Sequence, residues 1–491
     1  MKARRIGRTA IAASGLVALV AAGGVSSVGS VGSAASAAVS RTPVKLVAGS
    51  IDVTLDSVED YGVDLDLGTH VVAGNAPIEV RATRASYSSP VVATQYVRGK
   101  PGRTLPKGTV ADFSGLGKFL HVTLTDAAGK KVLDRDQTLC LNGEGSRTRP
   151  DAPATSPYPD GCTANPFTQG AVWGLQSGWS TRTFAGGDPV KLAVGKYKAT
   201  VTVNKAYRDF FGIAAKDAAV SLNVTVRKAE GASGSALKAR SAALTPNASR
   251  PTGKPSVPKG PKPDLRPVPA WGIVVAPGEE GTPDAGKDFL QFSATVWNAG
   301  PSPLVLDGFR RQGKGLMDAY QYFYDEKGKQ VGYQNTGTLE WDARDGHHHW
   351  HFTDFARYSL LNVKQTEVVR SQKEAFCLAA TDVIDYTVKN ANWHPDNTDL
   401  HTACGDQGSL SVREVLDVGS GDTYAQSLPG QSFDITNLAN GTYYIEVTAN
   451  PERRLYEAST KNNVALRQVV LGGTKHHRTV KVLPVGVITA P

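Results

Sequence analysis

Residues 345–351 read Asp-Gly-His-His-His-Trp-His, so four of the chain's ten histidines fall within seven positions. In an extended segment, side chains alternate faces with a period of two. His347, His349 and His351 then share one face, while His348 and Trp350 take the other. Three imidazoles converging on one face make a divalent-metal site, and nitrogen donors suit Cu(II), Zn or Ni. A lone histidine in a polar loop would carry no such meaning; the i, i+2, i+4 repeat does. What the metal would do has to come from the rest of the chain.

Such a motif needs a strand to present it, and the surrounding sequence is strand-like. From Pro263 onward, Leu290, Phe292, Ala294 and Val296 alternate with Gln291, Ser293 and Thr295 until Asn298-Ala299-Gly300 ends the run. Tyr443, Ile445 and Val447 repeat the pattern before an Asn450-Pro451 turn. An earlier region, residues 45–228, alternates in the same way at Val63-Leu65-Leu67, Tyr197–Val203 and Val220–Val226. Half-buried antiparallel sheet is the natural reading of such runs. The expected fold is therefore all-β: two β-sandwich-like domains, 45–228 and 263–491, joined by a Pro/Ala/Lys-rich linker at 229–262 that permits domain movement. The first domain holds no catalytic cluster, since His70 and His121 stand alone, and it reads as a scaffold or binding module.

Residues 1–37 have a basic start, an apolar run from Ile11 to Gly24 and a small-residue Ala35-Ser36-Ala37 site, the layout of a secretory signal peptide. The apolar run is short for a membrane span, so an exported protein with no span is expected. Four cysteines in an exported chain imply two disulfides in one of three pairings, which sequence does not decide; the local choice, Cys140–Cys162 and Cys377–Cys404, keeps each pair within one proposed domain. The formal charge of +9 is concentrated in the leader and in the linker, where Lys238, Arg240, Arg250, Lys254, Lys259 and Lys262 face only Glu230. The folded regions are close to neutral, which argues against a nucleic-acid binder. The basic linker suits contact with anionic wall polymers.

Further stretches fall into order after the histidines. Trp341–Leu361 resembles the copper-binding segment of the lysyl oxidase family. Gln372-Lys373-Glu374-Ala375-Phe376-Cys377-Leu378 is similar to that family's lysine segment, and Gly421-Asp422-Thr423-Tyr424 to its D-T-Y segment. Phe433–Thr436, Gly441–Val447 and Asn450-Pro451 through Asn462-Asn463 resemble its closing strands, and His476-His477 has a counterpart near its end. The resemblance runs over 263–477 and is absent from the N-terminal region. It implies a bacterial-type copper amine oxidase with copper on His347, His349 and His351. It further implies a lysine tyrosylquinone built from Lys373 and Tyr424, with Asp422 as candidate base. Lysine suits this chemistry because burial lowers the pKa of its amine towards the nucleophilic form. Taken singly, Lys373 reads as a surface lysine, Tyr424 as a sandwich tyrosine and Asp422 as a turn residue.

The pattern also departs from the family. Gly346 stands where the animal enzymes carry a cysteine, several of their other cysteines are missing, and Arg357 replaces a later histidine. That last change bears on turnover or on substrate charge preference. His394 and His401, between Cys377 and Cys404, read as exposed loop residues. The expectation is a secreted enzyme that deaminates peptidyl lysine or small primary amines with O2, releasing H2O2 and ammonia. The rivals are a non-catalytic wall protein, a copper-sequestering protein and a zinc hydrolase.

Overall fold

The computed structural model describes residues 44–184, 189–229, 250–311, 314–343, 348–371, 375–395, 400–427 and 432–486. The expected leader lies outside them. Nearly all regular structure is strand, and the one α-helix among the described residues, Lys205–Phe211, is two turns long.

In the N-terminal region the alternating runs become strands where expected. Gly195–Val203 and Ala219–Lys228 pair antiparallel and turn Ala199, Val201, Val203, Leu222, Val224 and Val226 into the core. Val63–Leu67 differs. Its side chains do alternate between buried and exposed, yet only Val63 lies in a strand. Asp66 N–H turns back onto the Asp64 carbonyl instead of pairing with a neighbour. Periodicity reports burial, and a ladder requires a partner as well. Cys140 and Cys162 are bonded, stapling the loop that carries residues 145–147.

The C-terminal region is built of three sheets around one core. One sheet centres on the strand Asp288–Asn298, which pairs with Leu265–Pro267, Trp271–Pro277, Phe433–Asp434 and Ser420–Ala425; the last pairs in turn with Asp382–Val383. A second runs Glu367–Arg370, Ala356–Leu361, Gly441–Ala449, Val464–Thr474 and His477–Val482. The third has the order His349–Phe352, Gln330–Asp342, Leu316–Tyr324, Leu304–Arg310 and Ser411–Leu416. Its two edge strands are tied together by Ala403-Cys404. Cys404 accepts from Trp350 N–H (3.1 Å), and Ala403 exchanges bonds with Arg413. Phe292, Trp350, Phe352, Tyr358, Phe376, Leu416 and Ile445 meet in the shared core. Cys377 and Cys404 are bonded beside it.

Two observations bear on the expected linker and its freedom. Of residues 229–262, the described part from Arg250 lies on the third sheet: Ser256 bridges Tyr333, and Tyr333 donates to the Gly253 carbonyl. The two β regions also share backbone bonds. Ile384 accepts from Gln169 N–H (2.7 Å), Gly170 accepts from Tyr386 N–H (3.0 Å), and Phe167 packs with Val268, Trp297 and Ile384. Any relative movement would have to break these contacts.

Candidate active site

The histidine strand is short, His349–Phe352, and hangs on the end of Gln330–Asp342 through the pairs Asp342↔His349, Trp341↔Trp350 and Glu340↔His351. Trp350 explains why it sits there. Its ring is fully buried, it donates to the Asp406 carbonyl (2.8 Å), and Arg310 lies over it. With Trp350 on one face, His349 and His351 share the other, their ring centroids 4.7 Å apart. His351 is fully buried with Nδ1 3.2 Å from Asp342 Oδ2, an arrangement that orients a ligating imidazole. His348 is exposed with φ of 48°, so the extended backbone begins after it.

A first-row metal about 2 Å from a ring nitrogen lies roughly 3 Å from that ring's centroid, so two rings on one ion stand roughly 4–5 Å apart. The His349–His351 pair fits a shared divalent ion. Expected third ligand His347 lies outside the described residues, and among those described no set of three histidine, cysteine or carboxylate side chains converges as a metal site.

The residues flanking the next segment are anchored, one to this strand and one to Ala356–Leu361. Phe376 exchanges backbone bonds with Phe352 (2.8 and 3.0 Å), and Ser371 N–H donates to the Tyr358 carbonyl (3.0 Å). Lys373 falls between these anchors, outside the described residues. Phe376 meets the Tyr424 ring edge-on at 4.7 Å, and the Tyr424 hydroxyl donates to the Cys377 carbonyl at 2.6 Å. Tyr424 and Asp422 lie two apart on Ser420–Ala425, opposite Ala294 and Val296, and so share a face. The strand is pressed close at Gly421, where a Cβ would collide with Thr295 and Ile384. Asp422 is buried, while Tyr424 keeps part of its surface open.

The structure adds two groups that sequence reasoning missed. Tyr358 is buried between Phe292 and Phe376. Glu414 is fully buried on Ser411–Leu416, in line with Val412 and Leu416. Leu378 N–H donates to its Oε2 at 3.1 Å, and among the described residues its Oε1 has no hydrogen-bond partner. Burial pushes the Glu414 carboxyl well above the usual range, opposed by the Leu378 and Phe352 amides and reinforced by Asp422. Burial likewise raises the Tyr424 hydroxyl, with Asp422, Glu414 and Tyr358 adding to the effect. Tyr358 is raised by burial and by Asp422. A usable signal for Glu414 existed: a carboxylate at the inward position of an alternating Val-Arg-Glu-Val-Leu run conflicts with its surroundings, and such conflicts mark functional sites.

Other candidates fall elsewhere. Arg357 points away from Tyr358 and pairs with Glu452 at 2.6 Å. His394 lines a small cavity of about 140 Å³ with Asp382, Tyr386 and Trp393. His476 and His477 are exposed at a hairpin.

Two histidine rings set edge to face, a buried aspartate and a tyrosine tied to a disulfide-anchored segment all fall within residues 323–480, which match the lysyl oxidase family model. The chain is similar to lysyl oxidase homolog 2 of Xenopus tropicalis, 30% identical over 132 residues, and to that of Homo sapiens, 31% over 132 residues. Lysyl oxidase homolog 4 of Homo sapiens is 29% identical over 130 residues. Each match covers 26% of this chain and spans 15% of the relative's length. No helix among the described residues is long and apolar enough to cross a membrane.

Proposed function

We propose that the protein is a secreted copper-dependent amine oxidase acting on primary amines, either peptidyl lysine or small amines. The observation that carries this reading is the position of Phe376-Cys377. This dipeptide pairs with the histidine strand through Phe352 and holds Tyr424 by ring and hydroxyl. His347, His349 and His351 would hold copper, and Lys373 and Tyr424 would form the quinone. Together these would supply the oxidation of a primary amine to an aldehyde, with water consumed, ammonia released and O2 reduced to H2O2.

The chain's own residues would do the rest. The Cys377 carbonyl orients the Tyr424 ring, and Phe376, itself packed on Tyr358, walls off one side. Asp422 shares the face of Tyr424, where a carboxylate can take the proton from the carbon bearing the amine. Asp422 and Glu414 are sealed while Tyr424 is partly open, so substrate would approach from the Tyr424 side. The expected leader would export the protein and be removed.

The test is mass analysis of the peptides containing Lys373 and Tyr424 after expression with copper and oxygen. One cross-linked species, together with peroxide release on adding amines that is lost in Lys373→Ala, is the expected result. Two separate unmodified peptides from copper-loaded protein would overturn it and leave a metal-binding, non-catalytic sandwich.

A further inference from the structure

Val412, Glu414 and Leu416 face the core together, and a carboxylate in an apolar row is costly unless it does something there. What Glu414 touches is specific. The peptide unit joining Cys377 to Leu378 donates its N–H to Glu414 Oε2 at 3.1 Å and accepts the Tyr424 hydroxyl on its carbonyl at 2.6 Å. A peptide unit is planar and rigid, so fixing its N–H fixes the direction of its carbonyl. Thr402 holds the same stretch one residue on, donating to the Leu378 carbonyl at 2.6 Å and accepting from Val415 N–H at 2.9 Å. Both restraints come from residues on or bonded to the strand Ser411–Leu416, and neither includes a proposed metal ligand.

We propose that Glu414 is a positioning residue for Tyr424: by accepting the Leu378 amide it aims the Cys377 carbonyl, and so holds the Tyr424 ring in place against Phe376. The inference rests on the reading of Tyr424 as the cofactor precursor. A side chain that accepts the amide suffices for this role, and no proton transfer from Glu414 is required. Glutamine keeps that acceptor and leucine removes it.

The experiment compares the full chain with its Glu414→Gln and Glu414→Leu variants, each expressed with copper and oxygen. The extent of Lys373–Tyr424 cross-link and the copper content per chain are read by mass analysis. Glu414→Gln should cross-link much as the parent does. Glu414→Leu should keep the parent's copper content and cross-link about tenfold more slowly, as for one lost buried hydrogen bond. A second readout is nitration of Tyr424 by tetranitromethane in the copper-free chain, which senses how the ring is held whether or not a quinone forms. It should be several-fold faster in Glu414→Leu than in the parent or in Glu414→Gln.

A parent that never cross-links overturns the amine oxidase reading, and the nitration contrast then decides the positioning role by itself. Equal cross-linking and equal nitration in parent and Glu414→Leu overturn the positioning role. Loss in both variants overturns it too, because the carboxyl itself would then be needed. If Glu414→Leu does not fold, Glu414→Asp, which retracts the acceptor by one methylene, takes its place with the same expectations.

Discussion

Asp422, Glu414, Tyr358 and Tyr424 bring four ionisable groups into one buried space, and their mutual effects are one-directional. Asp422 makes both phenols harder to ionise, Glu414 adds to the effect on Tyr424, and burial opposes ionisation of Glu414, Tyr358 and Tyr424. Asp422 is the group whose removal should report on chemistry rather than on assembly. Asp422→Asn is expected to lower kcat by about 100-fold or more, the usual worth of a general base, with the Lys373–Tyr424 cross-link still formed; unchanged kcat would exclude Asp422 as the base. Glu414 makes a different prediction. An unfolded glutamate ionises near ~4.3, whereas folded Glu414 keeps its proton to higher pH. The folded state then binds more protons than the unfolded state, so stability falls as pH rises through this window until the folded value is passed. In the copper-free chain, Glu414→Gln should lose less stability than the parent between pH 5 and 8 in denaturant titrations. Parallel pH profiles would mean that Glu414 is ionised in the folded protein.

At the scale of elements, short pieces of chain outside the long strands decide the site. Ala403-Cys404 ties the edges of the third sheet, and the Cys377–Cys404 bond anchors the segment that holds Tyr424. The two disulfides close loops of similar length, with separations of 22 and 27 residues. Each should therefore contribute roughly 3–4 kcal/mol in the chain-entropy model. Replacing either pair by alanine should cost similar stability in denaturant titrations. The cross-link should fall sharply only without Cys377–Cys404. Equal cross-linking in both variants would show that the anchor is dispensable. Trp350 belongs to the same scale: its fully buried ring sets which face the histidines take. Trp350→Ala should cost about 3–5 kcal/mol and reduce copper content, as measured by unfolding and metal analysis.

For the whole molecule, the N-terminal region is packed against the strand that feeds the site. Thr163 and Thr168 donate to the Val383 carbonyl, and Asn165 donates to Thr295 and Asp382 (3.3 Å each). Asp382 in turn accepts from Thr423, between Asp422 and Tyr424. Gly170 bridges Asp385, and a Cβ there would overlap the Asp385 carboxylate and the Thr387 hydroxyl, which are bonded to each other. Gly170→Val should cost about 1–3 kcal/mol by overpacking and speed hydrogen exchange at Asp382–Tyr386 and Ser420–Ala425. Exchange confined to the N-terminal region would show that the contact does not reach the site strand.

How much of this was legible before the fold was known follows from what each signal depends on. Alternation made Asp288–Asn298, Gly441–Ala449, Gly195–Val203 and Ala219–Lys228 readable, because one buried face imposes a period of two on any half-buried strand. The shared face of His349 and His351 followed from the same local rule. The local cysteine pairing was one of three open to the sequence, and it is the one the structure forms. Glu414 and Tyr358 were not read, because their roles depend on three elements distant in the chain arriving at one place. The docking of 250–262 and the contact between the two β regions were missed for a related reason: composition describes how a segment behaves alone, while docking depends on the surface it meets. Residue types and local spacing were thus determined by the sequence itself. Which carboxylate stands behind which tyrosine was decided only by tertiary structure, because burial and hydrogen-bond partners are properties of the packed chain.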